Sequence, residues 1–391
     1  MTPRGFLFSV AEAAIKKPGR KDLALIFSEK EANIAGMFTT NAVKAAPVQL
    51  DMKKIASGRG QAIIVNSGNA NACTGEQGLR DAEKMAQLVA HNLRIKPSLV
   101  YVSSTGVIGT PMPMERISEK IHELANNIDR ASLRDIAGAI LTTDTFPKIV
   151  KKRINIEGKT GMIAGICKGA GMICPHMATM LCFLMTDIAV NLHTLQKVLK
   201  DAVELSFNRV TIDGDMSTND TVLFMANGIL GNTPVTAKSA SYALFRETLH
   251  EMTFDLSKMI AQDGEGATKF IEIEVMGARS RQDAEKAAFA VANSNLVKTA
   301  IYGNDANWGR IMAALGYSGA ALREEKVDIH FGRVRVVSKG ISTGKDREAG
   351  EVLKREKVAI HINLNLGKAS AKTLTCDMTE DYIRINAEYR T

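Results

Sequence analysis

Six consecutive apolar residues, Met180–Met185 (MLCFLM), place the tightest limit on how this chain can fold. A strand that is covered on one face alternates apolar and polar side chains, whereas a strand that is buried on both faces is apolar throughout. We therefore predict a core strand here, with Thr179 as its first residue. Such a strand is a rigid element on which to hold a reactive side chain.

Other segments show the spacing of strands and helices. Short apolar runs predict buried strands at Gln61–Val65 and Leu99–Val102. Apolar residues at helical spacing predict helices over Gly78–Leu93 and Leu192–Val210, the second capped by Asn191.

The C-terminal third has a different pattern, because apolar and polar residues alternate there as in half-buried strands. This indicates a separate α+β unit from about Gly277 onward. The elements predicted in this region are strands at Thr268–Val275, Val327–Val337, Val358–Leu366 and Tyr382–Tyr389, and a helix at Ala284–Val297.

Composition limits the class of protein. The 391 residues are 45% apolar and 24% charged, as in a globular chain of about two or three domains. The net charge of +8 is scattered and aromatic residues are few, which favours small anionic substrates over nucleic acid. Five cysteines without a CxxC pair predict reduced thiols. The first residues do not resemble a signal peptide and no run of about 18 apolar residues occurs, so we expect a cytoplasmic enzyme without a membrane partner.

Motifs of several enzyme classes are absent from the sequence. No HExxH, GxSxG, Walker or GxGxxG motif occurs, and the seven histidines do not have metal-ligand spacing. We therefore expect neither a metal site nor a bound cofactor.

The segment Lys168–Met180 (KGAGMICPHMATM) carries the most informative chemistry. A threonine hydroxyl is a weak nucleophile unless a base lies beside it. If the bond between Ala178 and Thr179 were cut, the new α-amine, with a pKa of about 7.7–8.0, could serve as that base. A threonine that merely begins a strand is common, so the residues alone leave both interpretations open.

Two further loops contain candidate site residues. Val102–Gly109 (VSSTGVIG) follows a predicted strand, and its amides and Thr hydroxyl could stabilise an oxyanion or could form an ordinary polar turn. Gln262–Lys269 (QDGEGATK) places Glu265 between two glycines. That carboxylate could bind a substrate ammonium group or could be a solvated acid in a turn.

Taken together, the chain resembles the ornithine acetyltransferase family, the bifunctional glutamate N-acetyltransferases and amino-acid acetyltransferases of cyclic arginine biosynthesis. It departs from the family at His176, where Asn is usual, and at Ala306, where Pro is usual. The stretches that carry the resemblance include GRKDLALIFSEK, GMFTTNAVKAAPV, IVNSGNANACTGEQGL, SSTGVIG, LTTDTFPK, KGAGMICPHMATML, SFNRVTIDGDMSTNDTVL, DGEGATK, GNDANWGRI and YIRINAEYRT.

The resemblance implies roles for individual residues. The precursor cuts itself between Ala178 and Thr179, and Thr179 becomes both the nucleophile and, through its amine, the base. Thr105 and Gly106 form the oxyanion hole. The implied substrate-binding residues are Thr142, Lys168, Thr179, Glu265, Asn386 and Thr391.

The resemblance also implies a fold and an assembly. The fold is of the α/β (α+β) class, a layered αββα sandwich with a smaller C-terminal α+β domain. Residues 1–178 form an alpha chain with most of the sandwich and the oxyanion loop. Residues 179–391 form a beta chain, of which about 277–391 is the C-terminal domain. The two chains stay associated as an α2β2 tetramer.

The implied reaction transfers acetyl from N2-acetyl-L-ornithine to L-glutamate through an acetyl-threonine. Whether acetyl-CoA is a second donor stays open. One alternative is a self-cut amidase or aminopeptidase that passes the acyl group to water. Another is an uncut binding or regulatory protein.

Overall fold

The computed structural model describes residues 2–174 and 180–388. Within them the chain forms two compact units, the first of residues 2–169, 180–208 and 216–256, and the second of 170–174, 209–215 and 257–388. The described residues contain fourteen strands, in two sheets, and eleven α-helices, so the predicted mixed α/β class is confirmed. None of the helices in this part of the chain has the length and apolar character needed to cross a membrane.

The first unit is built on an eight-stranded sheet. Its strands are β1 (Phe6–Ala11), β2 (Leu23–Phe38), β3 (Arg59–Asn69), β4 (Val100–Val107), β5 (Lys148–Ile156), β6 (Lys159–Lys168), β7 (Leu181–Thr186) and β8 (Thr221–Ala226). They lie in the order β4-β3-β2-β8-β7-β6-β5, and β1 pairs with β2. Its helices are α1 (Ala46–Lys54), α2 (Gly75–Leu93), α3 (Met114–Asn126), α4 (Leu133–Ala139), α5 (Leu192–Leu205) and α6 (Tyr242–Gln262), the last belonging to this unit up to Leu256.

Helices cover both faces of this sheet, which explains why its central strands are apolar. Ile63 and Val65 of β3 pack in a core with α4, whereas the alternate residues Ala62 and Ile64 pack in a second core with α2 and α3. Successive side chains of a strand point to opposite faces, so a strand between two cores has no exposed side.

The apolar run that begins at Met180 forms the predicted core strand. Every residue of β7 is buried, and β7 pairs with β8 in parallel from Leu181 opposite Thr221 onward. Phe183 packs in the core that contains α4. On the other face, Phe224 of β8 stacks on Phe245 of α6 with ring centroids 6.2 Å apart.

The other predictions for the first unit are also confirmed, with shifted ends. The first predicted strand falls within β3, the second overlaps β4 from Val100 onward, and the predicted helices correspond to α2 and α5. The Asn191 side chain caps α5 by accepting from the amides of His193 and Thr194 at 3.1 and 3.4 Å. Helix α5 ends at Leu205, before the predicted end at Val210.

The second unit is built on a six-stranded sheet. Its strands are β9 (Phe270–Ala278), β10 (Asp328–Phe331), β11 (Val334–Ser338), β12 (Ile341–Ser342), β13 (Lys357–Asn363) and β14 (Ala369–Cys376), in the order β12-β11-β10-β13-β9-β14. Its helices are α7 (Arg281–Ala292), α8 (Asn295–Tyr302), α9 (Trp308–Tyr317), α10 (Asp346–Leu353) and α11 (Glu380–Ala387). Apolar residues of the helices and of β9, β10 and β13 form one core, in which Ala306 is buried.

Capping groups overturn two predictions in this unit. The strand predicted at Tyr382–Tyr389 is wrong, because helix α11 occupies Glu380–Ala387. The Thr379 hydroxyl caps it by accepting from the amide of Tyr382 at 3.2 Å, and acidic residues favour its first turn. The single helix predicted at Ala284–Val297 is also wrong, because Ser294 caps a new helix, α8, by accepting from the amide of Val297.

Replacement of Leu184 tests the contribution of β7 to stability. Leu184 is fully buried, so Leu184→Ala should lower the free energy of unfolding by about 2–5 kcal/mol, because it leaves a cavity. Leu205→Ala is the matched control: Leu205 is 46% exposed, and the loss should be under about 0.5 kcal/mol. Urea unfolding measures both, and equal losses would contradict the burial of β7.

Candidate active site

The structure places the site residues that the resemblance implies in both units. Ala178, Thr179 and Thr391, and the departure at His176, lie outside the described residues. The first unit holds Thr105, Gly106, Thr142 and Lys168, and the second holds Glu265 and Asn386.

The Thr105–Gly106 pair lies near the end of β4, beside β3. Gly106 has a φ of 137°, and a Cβ there would lie 2.2 Å from the carbonyl carbon of Gly68, so only glycine fits. Thr105 is a buried residue, 4% exposed, so it is held at a rigid strand end.

Asn219 ties this strand end to the segment before β8. Its amide nitrogen donates to the carbonyl oxygens of Ala70 and Ser104 at 2.6 and 2.8 Å, and its oxygen accepts from the Thr218 hydroxyl at 2.6 Å. All the hydrogen-bonding groups of this buried side chain except one lone pair are thereby used. The position of Ser104, and with it that of Thr105, is fixed relative to β8.

Asp220, the next residue, holds the start of β7. Its Oδ1 accepts from the amide of Met180 at 2.9 Å, and the amide of Thr221 donates to the carbonyl of Met180 at 3.1 Å. Met180 directly follows Thr179 in the sequence. Two consecutive side chains, Asn219 and Asp220, thus link the implied oxyanion residues to the residue that follows the implied nucleophile; we call this pair the β8 clamp.

The Asp220 carboxyl is fully buried, and its Oδ2 has no hydrogen-bond partner among residues 2–174 and 180–388. Burial raises its pKa well above the usual range, and the amide of Met180, the ammonium group of Lys168 and nearby hydroxyls offset only part of the shift. Asp220 therefore holds its proton more tightly than an exposed aspartic acid does.

Asp144 brings Lys168 and Thr142 together in the first unit. Its Oδ2 lies 4.0 Å from Lys168 Nζ and accepts from the amide of Thr142 at 3.2 Å. Its Oδ1 accepts from Lys148 Nζ at 2.8 Å and from the amide of Gly169 at 2.6 Å. Burial alone would raise the pKa of Asp144, but the two ammonium groups and the amide lower it, so the group is ionised.

In the second unit, the side chains of Glu265 and Asn386 are hydrogen-bonded to each other. Asn386 Nδ2 donates to Glu265 Oε2 at 2.8 Å, and the amide of Glu265 donates to the carbonyl of Ala170 at 2.8 Å. A Cβ on Gly171 would lie 2.3 Å from the Glu265 carboxyl carbon. The glycine at position 171 therefore allows the backbone to approach this carboxylate.

The sequence did not single out Asp144, Asp213, Asn219 or Asp220, although each lies in a stretch that carries the resemblance. Asp213 holds the segment that leads towards the implied cut: its two oxygens accept from the amides of Met172 and Ile173 at 2.6 and 2.8 Å. Burial raises the pKa of Asp213, and these amides offset part of the shift. Two of these acids could have been noticed from the sequence. Asp220 directly precedes β8, and Asp144 lies two residues after Thr142.

Comparison with known proteins decides the family. Residues 7–391 match the ArgJ family.

The chain belongs to the ArgJ family.

The arginine biosynthesis bifunctional protein ArgJ of Geobacter sulfurreducens is 52% identical, with full coverage of both chains. The protein of the same name from Caldanaerobacter subterraneus subsp. tengcongensis is 49% identical, over 100% of this chain and 98% of its own. A crystal structure of arginine biosynthesis bifunctional protein ArgJ from Bacillus halodurans is 45% identical with a TM-score of 0.51, and covers 53% of this chain and 98% of its own. The resemblance found in the sequence motifs is thereby confirmed.

Substitution of Asp220 tests the clamp of this ArgJ chain. The folded protein holds the Asp220 proton to higher pH than the unfolded chain, so this group makes the wild type less stable as pH rises above about 3.9. Asp220→Asn cannot ionise and still accepts from Met180. Relative to wild type, it should gain stability progressively as the pH rises above about 3.9.

Asp220→Ala is the comparison variant. It leaves the buried Met180 amide without its acceptor, which should cost about 1–3 kcal/mol at every pH. Denaturant unfolding at several pH values measures both. A Asp220→Asn variant as unstable as Asp220→Ala throughout would show that Asp220 works as a charged group.

Proposed function

We propose that this protein transfers the acetyl group of N2-acetyl-L-ornithine to L-glutamate in arginine biosynthesis, through an acetyl ester on Thr179. The observation that carries the proposal is the β8 clamp in a chain of the ArgJ family. It holds the Thr105 strand end and the amide of Met180 on two adjacent side chains. An oxyanion donor and a nucleophile must be held in fixed relation for acyl transfer.

The nucleophile is generated by a cut between Ala178 and Thr179. The Thr179 hydroxyl adds to the Ala178 carbonyl, the peptide nitrogen leaves as the α-amine, and water hydrolyses the resulting ester. Asp213 and Asp220 support this step, because they hold the chain at Ile173 before the cut and at Met180 after it. The Bacillus halodurans chain, which spans about half of this one, has the length of one product of a cut near the middle.

Acetyl transfer follows in two steps. The Thr179 hydroxyl attacks the acetyl carbonyl while its α-amine takes the proton, and the Thr105 hydroxyl and Gly106 amide bind the oxyanion. The C–N bond breaks, the proton passes to the leaving amine, and ornithine departs. The neutral amine of glutamate then attacks the ester, and the second tetrahedral intermediate collapses to N-acetylglutamate and free Thr179.

Each unit, taken by itself, holds polar groups that we assign to substrate binding. Lys168 is 2% exposed and lies in a salt bridge with Asp144, which also orients the backbone of Thr142. A fixed cation here suits a substrate carboxylate, and it also lowers the pKa of a nearby amine. We assign Glu265 and Asn386 to an ammonium group of the substrate, and Thr391 to substrate binding by resemblance.

The two products of the cut should remain associated. Strands β1–β6 precede the cut and β7 and β8 follow it, yet β6 pairs with β7 and β2 pairs with β8. Separation would break two buried ladders of one sheet.

We further propose that the protein is an α2β2 tetramer in the cytoplasm and needs no cofactor. We also propose that it accepts acetyl-CoA as a second acetyl donor, as the word bifunctional in the names of the relatives suggests.

Substitution of Thr179 tests the nucleophile. Thr179→Ala should give one uncut chain without ornithine release, because it removes the hydroxyl that both steps require. Thr179→Ser keeps a hydroxyl and should still be cut. Denaturing electrophoresis and an ornithine assay measure the outcomes, and native chromatography should show both wild-type products in one peak. Normal turnover by Thr179→Ala would refute the assignment.

Substitution of Thr105 tests the oxyanion hole. Thr105→Ala should slow acetyl transfer by about 100-fold to 1,000-fold, because one donor to the oxyanion is lost. Self-cleavage should slow as well if the same donors serve both steps. Thr233→Ala, at an exposed threonine of the same unit, is the control. Equal rates for the two variants would exclude Thr105 from catalysis.

The reaction class has its own test. Formation of acetate from acetylornithine at a rate independent of glutamate would indicate an amidase.

A further inference from the structure

A cleft of about 590 Å³ opens in the first unit beside Thr142. Its lining includes Arg20, Lys21 and Arg134, together with Asp135 and Asp144. We call it the basic cleft. Thr142 and Asp144 both line this cleft, and Asp144 forms a salt bridge with Lys168. The basic cleft therefore lies beside a residue that we assign to substrate binding.

The two acids of the basic cleft are already engaged by other groups. Asp144 is held by the ammonium groups of Lys148 and Lys168. Asp135 accepts from the amide and the hydroxyl of Ser132, both at 2.7 Å, as part of the cap of α4. These hydrogen bonds lower the pKa of Asp135, so its charge is stabilised locally.

Arg134 acts electrostatically on the neighbouring Asp135, but the three cations of the cleft outnumber its two acids. In the described part of the chain, none of Arg20, Lys21 and Arg134 forms a salt bridge. Arg20 is fixed in place, because its guanidinium donates to the carbonyl of Leu141 and, at 3.3 Å, to the Ser67 hydroxyl. Lys21 and Arg134 are exposed at the rim. The cleft is therefore positively charged and presents one preorganised guanidinium beside Thr142.

We propose that the basic cleft binds an anionic group, a carboxylate or a phosphate, of the molecule that exchanges acetyl with the enzyme. The inference rests on the proposed function. N2-acetyl-L-ornithine has a single carboxylate and a cationic side chain, so it offers less negative charge to three cations than the other two ligands do. Glutamate carries a side-chain carboxylate and acetyl-CoA carries phosphates, so these two ligands share the chemistry that the cleft recognises.

The test is equilibrium binding of L-glutamate and of acetyl-CoA, by calorimetry, to the self-processed protein. The double variant Lys21→Gln/Arg134→Gln removes the two exposed charges without touching the hydrogen bonds of Arg20. Lys197→Gln, at an exposed position of α5, is the control for a lost surface charge. The double variant should bind at least one of the ligands about tenfold more weakly than wild type, and the difference should shrink in high salt.

The two arms identify the anion. Weaker binding of glutamate alone assigns the cleft to a carboxylate, and weaker binding of acetyl-CoA alone assigns it to a phosphate. Dissociation constants for both ligands within twofold of those of Lys197→Gln would overturn the proposal. Ornithine release from acetylornithine is measured in the same preparations. Its absence in wild type would refute the proposed function. The dissociation constants would still show whether the basic cleft binds an anion.

Discussion

The β8 clamp is the interaction on which the rest of this site depends. Asn219 fixes the carbonyl of Ser104, and Asp220 fixes the amide of Met180. Both side chains are buried and belong to adjacent residues, so the distance between the two groups they hold cannot change much without breaking hydrogen bonds in a low-dielectric interior. Helices on both faces of the sheet exclude water from the strands that the clamp connects.

The two buried carboxyl groups near the β8 clamp and Lys168, Asp220 and Asp144, differ in the direction of their pKa shifts. The pKa of Asp220 is raised because burial outweighs the groups that favour its ionisation, whereas the pKa of Asp144 is lowered because two buried ammonium groups and an amide outweigh burial. A cluster of one carboxylate and two ammonium groups costs desolvation energy and is weak evidence for stability. In the proposed mechanism its value is functional, since it places the cation of Lys168 beside Thr142 in a fixed orientation.

Local sequence patterns predicted much of the fold. The unbroken apolar run after Thr179 predicted β7, and Asn191 marked the start of α5. The pattern failed at Tyr382, where alternation suggested a strand but the Thr379 cap and acidic first turn produce a helix. Motifs named Thr105, Lys168 and Glu265, but the roles of Asn219 and Asp220 depend on contacts with residues far away in sequence, which no local pattern reveals.

Mass spectrometry of the protein quenched during turnover with acetylornithine can detect both the cut and the acetyl ester on Thr179. We expect two polypeptides, of which the second begins at Thr179 and is heavier by one acetyl group. Digestion should place that acetyl group on Thr179, and addition of glutamate should remove it. An active protein that consists only of the unbroken 391-residue chain, or an acetyl group carried on any other residue, would contradict the proposed mechanism.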